Sequence, residues 1–219
     1  MLQRDYLMKM TQLLVAVLAK VLFHKEKNNF DDAQQELESA AKSMVGIDLK
    51  LISILSIGDI LQLMKTSDVY AGRCLVSAEL LKEYGDILIE KGKPEDSADI
   101  YHKSLCLYIE AMLTKEVPYR VDYYPKINFL ISLSNKLNFS PAFKQQLFEY
   151  YEMSGQYSRA EDILFEMIED EVEGIDKKGI KFYERLQKFS DEELFKGNLS
   201  REEVDESLLE IIKTKEKNL

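Results

Sequence analysis

The stretch "GDILIEKGKPEDSADIYHKSL", Gly85 to Leu105, decides the fold. Gly85, Gly92-Lys93 and the hydroxyl and acidic residues after them have the composition of a phosphate-cradling loop. The same letters also make the turn of a two-helix hairpin. A phosphate loop needs glycine, four residues, then Gly-Lys followed by Ser or Thr, set between a strand and a helix. Here Gly85 stands seven positions before Gly92, and Pro94 takes the place of the magnesium-binding hydroxyl. The segment before the turn has helical periodicity, not the alternation of a strand. The stretch therefore reads as a hairpin.

The same hairpin recurs. In "KNNFDDAQQELESAA", "KGKPEDSADIYHKSL" and "SGQYSRAEDILFEMI" a turn residue (Asn28, Gly92, Gly155) precedes Phe30, Pro94 or Tyr157 by two positions. Five positions after the turn comes a small residue: Ala33, Ser97 or Ala160. Four further on stands a large one, Leu37, Tyr101 or Leu164, and then Ala40, Ser104 or Met167. From Asn28 to Gly92 is 64 residues and from Gly92 to Gly155 is 63, the near-equal spacing of an internal repeat. Antiparallel helices approach closely only where a small side chain stands at their crossing, and the bulky one a turn later fills the space beside it. A left-handed turn residue ends the first helix.

This pattern resembles the tetratricopeptide repeat. Ala78, Leu81, Tyr84, Gly85, Leu88, Gly92, Ser97, Tyr101 and Ser104 fall at that family's code positions, with Leu81 in place of the usual Trp and serines in place of Ala. Pro141 to Ile168 matches through Leu147, Tyr151, Gly155, Tyr157 and Ala160, with Phe148 where the family has its close-packing Gly. Leu14 to Ala41 matches in its second helix. The resemblance covers about half the chain. The start "MLQRDYLMKM" also looks like that of an uncharacterised bacterial family with helical-repeat character. The resemblance implies an all-α fold of stacked antiparallel helical hairpins, a superhelix with non-standard inserted helices. One domain is expected over 1–219, with hairpins at about 2–45, 69–114 and 141–173 and C-terminal capping helices over 176–217.

Between the hairpins, Leu49–Leu55 and Ile57–Met64 read as short helices, and "EVPYRVDYYPK" (Glu116 to Lys126) as a connection before a helix reaching Lys136. "SDEE" (Ser190 to Glu193) and "SREE" (Ser200 to Glu203) are capping-box starts. Asp31–Val45 reads as one helix ended by Gly46. With 9 Gly, 4 Pro and 46% hydrophobic residues, the 219-residue chain suits helices and a sizeable core.

The formal charge of −10 repels phosphate backbones and anionic lipid, so neither nucleic acid nor membrane is an expected partner. Cys74 and Cys106 lie in apolar helical stretches and read as buried thiols in a reducing compartment. "LLVAVLAKVLF" (Leu13 to Phe23) imitates a signal peptide, but Asp5 and Lys20 interrupt that pattern, so a cytoplasmic protein is expected. His24 and His102 lack a second ligand at metal spacing, and His102 reads as a solvated surface residue. The acidic run Glu169 to Asp176 lacks the alternating ligands of a calcium loop and reads as a solvated helix end. No catalytic motif, cofactor fingerprint or metal signature appears.

What remains is binding. In tetratricopeptide arrays the first helix of each pair lines a concave groove. The resemblance places Glu79, Lys82, Asp86, Ile89 and Glu90 there in the middle hairpin, and Ala142, Gln145, Glu149, Glu152 and Met153 in the third. Both sets are acidic on balance, which suits a basic peptide or protein. In the first hairpin the same positions are Val15, Leu18, Leu22, Lys25 and Glu26. Val15, Leu18 and Leu22 would form an exposed apolar stripe unless the chain's own helices or a second copy cover it, so this is the expected homodimer face. Tyr119, Tyr123 and Tyr124 are a candidate aromatic patch, with packing under the loop as the plainer account. The expectation is a non-catalytic protein- or peptide-binding scaffold. The alternative is a regulator responding to a ligand or signalling peptide.

Overall fold

A computed structural model describes residues 2–65, 69–114, 116–117, 120–134 and 139–217, with side chains from residue 7 to residue 213. Every regular element among them is a helix, and no strand occurs among the described residues. The all-α class read from the sequence holds, and the arrangement is compatible with a helical repeat. By contact the chain divides into two compact units, Met1–Leu137 and Asn138–Leu219.

In the first unit, α1 (Leu2–Glu26) and α2 (Phe30–Ala40) form one hairpin. Two short helices follow, α3 (Leu49–Ile54) and α4 (Ile57–Met64). Then come α5 (Tyr70–Glu90) and α6 (Pro94–Leu113), a 3-10 turn over Arg120–Tyr123, and α7 (Tyr124–Ser134). The expected end of α7 at Lys136 lies outside the described residues.

The central hairpin shows why these letters fold this way. Gly92 takes φ +74°, a left-handed conformation closed to most side chains. That bend lets Gly92 N donate to Ile89 O at 2.9 Å and Lys93 N to Leu88 O at 2.8 Å, satisfying carbonyls the ending helix would leave bare. Pro94 then opens α6, where its missing N–H costs nothing. Where the helices cross, Ser97 and Ser104 are buried, and Ser104 Oγ donates to Ala78 O at 2.7 Å. The Tyr101 ring lies directly on Gly85: a Cβ built there would stand 2.5 Å from Tyr101 Cε1. Gly85 is thus glycine for room, and Gly92 is glycine for conformation.

The other turns repeat the device, with Asn28 at φ +57° and Gly155 at φ +74°. Ala33, Leu37, Ala160 and Leu164 are all fully buried. One difference falls at the end of α2. Asp31–Val45 reads in sequence as a single α-helix, but Ala41–Val45 winds as a π-helix, closed by Gly46 N donating to Ala41 O at 3.0 Å. The wider turn brings Ala41 and Val45 to the buried side together. Gly46, left-handed at φ +76°, ends it as expected. Asp48 and Ser56 cap α3 and α4 through the backbone N–H of Lys50 and Asp59.

The second unit holds α8 (Pro141–Met153), α9 (Tyr157–Glu169), α10 (Ile175–Leu186), α11 (Asp191–Lys196) and α12 (Arg201–Lys217). Phe148 fills the place of Gly85 and meets Phe182 edge-on, their centroids 5.2 Å apart. The buried Lys144 ties α8 to α9 through Glu166 at 2.9 Å and Asp170 at 2.8 Å. Both capping boxes form as the sequence predicts, at Ser190–Glu193 and Ser200–Glu203.

Candidate functional site

The acidic positions of α5 face their own chain. Glu79 has a side chain 3% exposed and accepts from Lys126 Nζ of α7 at 2.5 Å. A turn along α5, Lys82 Nζ reaches Glu83 at 3.0 Å and Asp86 at 2.9 Å. Lys25, from the last turn of α1, reaches the same two carboxylates at 3.0 and 3.2 Å. Tyr101 donates to Asp86 at 2.8 Å. Glu79, Glu83 and Asp86 thus meet Lys25, Lys82 and Lys126, so the seam is balanced in charge. Glu90 is exposed at the end of α5.

The electrostatics follow from this pairing. Burial pushes the Asp86 carboxyl up, but the Lys82 hydrogen bond and charge outweigh it and hold the group below its ordinary value. Burial alone would lower Lys82; the Asp86 hydrogen bond and the two carboxylate charges raise it instead. Burial pushes the Tyr108 phenol well above its usual range, and the nearby Glu79 carboxylate adds to the effect. Buried thiols behave likewise: burial pushes Cys74 and Cys106 up to about 12, so both are neutral and poorly nucleophilic near pH 7. His102 is half-buried rather than solvated, and burial lowers its pKa. Among the described residues, no group of three or more His, Cys, Asp or Glu is placed to hold a metal.

The second unit uses its acidic positions in the same way. Glu149 pairs with Lys178 of α10 at 2.7 Å. Glu152 takes a two-pronged bond from Arg185, at 2.6 and 2.8 Å. Gln145 is exposed. Of the positions taken from the repeat resemblance as groove-lining, Glu79, Lys82 and Asp86 lie between neighbouring helices, whereas Ile89, Glu90, Ala142, Gln145 and Glu149 are exposed.

Of the candidate aromatic patch, Tyr119 lies outside the described residues. Tyr123 and Tyr124 are half-buried, and the Tyr123 ring stands 6.3 Å from that of buried Tyr108. Sequence reasoning missed a cavity of about 290 Å³ beside the α5–α6 turn, lined by Ile89, Pro94, Ser97, Ala98, Tyr101, Leu133 and Ser134. Leu133 arrives from α7, some forty residues on, and no short-range signal could have paired it with Ile89.

The expected stripe on α1 is open over most of its length. Val15 is 62% exposed and Leu22 55%, while Leu18 is half-buried. Met8, seven residues before Val15, extends the row at 44% exposure, and Phe23 borders it. The opposite side of the helix buries Leu7, Met10, Leu14 and Val21. Met8 was legible as the first member of a seven-residue spacing. By length and composition Leu7–Glu26 could also cross a membrane, an apolar window longer than Leu13–Phe23 alone suggests.

A family model described as "Family of unknown function (DUF6483)" matches residues 1–216, and the chain belongs to that family. No curated protein and no solved structure matches.

Proposed function

We propose that this chain is a non-catalytic protein-binding scaffold of tetratricopeptide-like hairpins, working in the cytoplasm, and that it binds through the outer face of α1. One observation carries the reading. A 25-residue helix buries one side in its own unit and presents Met8, Val15 and Leu22 in a row on the other. Isolated exposed apolar side chains are ordinary on soluble proteins; a row spaced by seven on one helix face is the pattern by which helices recognise helices. The acidic positions are left out of the proposal, because in-chain lysines and arginines already neutralise most of them.

The test is affinity capture from native cell extract with the intact chain and with a Val15→Glu/Leu22→Glu variant. Both positions are exposed, so the variant is expected to keep its helical circular dichroism. Partners held by the intact chain and lost by the variant are the expected result. Identical partners on both would remove α1 from the reading.

A second reading, a regulator that responds to a small ligand or signalling peptide, is favoured by the cavity between Ile89, Tyr101 and Leu133. A ligand seated there raises the melting temperature without any protein partner. Ala98→Phe, placed at the exposed rim, should abolish that rise; a rise that survives it assigns the ligand elsewhere.

A further inference from the structure

We infer that the cavity beside the α5–α6 turn takes a neutral, flat, two-ring molecule with one hydrogen-bonding group, held by the Ser97 hydroxyl. The inference rests on the ligand-responsive reading above and names the chemical class of the ligand.

Ser97 carries a hydroxyl that the fold does not use. In the other two hairpins its place is taken by Ala33 and Ala160, both fully buried at the same point of the repeat. Ser104, the second serine of the middle hairpin, gives its hydroxyl to Ala78 O at 2.7 Å. Ser97 is 1% exposed and lines the cavity, and its Oγ has no hydrogen-bond partner. Burial and Asp86 push the Tyr101 phenol up and nearby Ser97 tempers the rise, but the Tyr101 hydroxyl is already donated to Asp86 at 2.8 Å. A buried hydroxyl left unpaired costs stability. One that stands where alanine packs equally well points to a partner from outside the chain.

The rest of the lining fixes the kind of partner. Ser134 Oγ donates to Leu130 O at 2.9 Å, so among the described residues the unused hydroxyl of the lining is that of Ser97. No charged side chain lines the cavity among those residues. A charged ligand would lose its hydration there without a counter-ion, so the ligand is neutral. The volume of about 290 Å³ is about twice that of a cavity that holds one benzene ring, so two fused rings fit. The Tyr101 ring forms one wall. Gly85 stands against it and Asp86 holds its hydroxyl, so this wall is set before a ligand arrives. An aromatic wall favours a flat aromatic partner. Buried Ser97, Tyr101 and Ser134 form the floor, and exposed Ile89, Ala98 and Leu133 form the mouth, which gives a ligand its way in. Leu133 and Ser134 come from α7 and the others from the α5–α6 hairpin, so a seated ligand ties α7 to that hairpin.

The experiment uses the full chain and three probes built on one ring system: 2-naphthol, naphthalene and 2-naphthoate. Thermal shift and calorimetric titration should show binding of 2-naphthol and none of 2-naphthoate. Ser97→Ala should weaken 2-naphthol about fivefold, the worth of one ordinary hydrogen bond, and should leave naphthalene no weaker. Alanine already stands at this place in the other two hairpins, so the variant folds. Without a probe it should melt no lower than the parent, because the hydroxyl has no bond to lose. A lower melting temperature would make Ser97 a structural hydroxyl and overturn the inference. Equal weakening of 2-naphthol and naphthalene, or of neither, would overturn it too. So would 2-naphthoate binding at least as tightly as 2-naphthol. In each of these cases a rise abolished by Ala98→Phe leaves the cavity standing as a ligand site of another class. No rise with any probe overturns the inference, and a rise that survives Ala98→Phe removes the cavity from the ligand-responsive reading as well.

Discussion

Replacing Gly85 by alanine sets two effects of known size against each other. In a helix interior alanine is favoured over glycine by about 1 kcal/mol. Against this, the new Cβ would stand 2.5, 2.7 and 3.1 Å from three atoms of the Tyr101 ring. The ring is 8% exposed and its hydroxyl is tied to Asp86 at 2.8 Å, so it has little room to swing away. Overpacking of this kind costs about 1–3 kcal/mol. Stretching the Tyr101–Asp86 bond costs about 1 kcal/mol more, at the low end for a charged acceptor because the pair is partly solvated. The net expectation is a loss of about 2 kcal/mol, or a fall in melting temperature of about 4–8 °C for a chain of this size. The sign must reverse in a Tyr101→Ala background, where the ring is gone and only the helix preference remains. There Gly85→Ala should stabilise by up to about 1 kcal/mol. Circular dichroism through urea titration reads both, and hydrogen exchange of the α5 and α6 amides reads the first unit alone. If Gly85→Ala raises stability in the parent chain, or lowers it equally in both backgrounds, the tooth-in-slot account of the hairpin is wrong.

Lys126→Met should cost about 3 kcal/mol, because it strands the buried Glu79 carboxylate; adding Glu79→Gln should return most of that in urea midpoint. Gly92→Ala should cost about 1 kcal/mol by melting temperature. No atom stands within 4 Å of the added methyl, so the cost is conformational, and Gly92→Asn should cost less. Asp86 carries the acid response. Its folded pKa lies below the ordinary 3.8, so its contribution is present above that value and fades as pH falls through the folded one. Urea unfolding at a series of pH values below about 4 should therefore show a shallower acid loss in Asp86→Asn than in the parent.

The local devices were legible because their causes are local. Gly92-Lys93-Pro94 contains the turn, the chain reversal and the helix start within three residues, and the Ser97/Tyr101/Ser104 spacing follows from the helix repeat. The capping boxes at Ser190 and Ser200 are equally self-contained. The π-turn at Ala41–Val45 was not legible, since Ala-Lys-Ser-Met-Val winds either way and its tertiary neighbours decide. The in-chain pairing of the acidic positions was not legible, for another reason. Glu79 and Asp86 sit where the repeat resemblance puts groove residues, but their fate depends on Lys126 and Lys25, placed by α7 and α1 some fifty to sixty residues away. Val15, Leu18 and Leu22 were named on α1 from the positions the repeat resemblance gives a first helix; which of them stay open depends on everything else.

The ion pairs of Lys25 span 58 and 61 residues of chain. During synthesis α1 leaves the ribosome well before α5. At about 5–20 residues per second the wait between them is roughly 3–12 seconds. Through that interval α1 has its hairpin partner α2 but not the α5 carboxylates that hold Lys25. Slower codons between Lys25 and Asp86 would lengthen that wait.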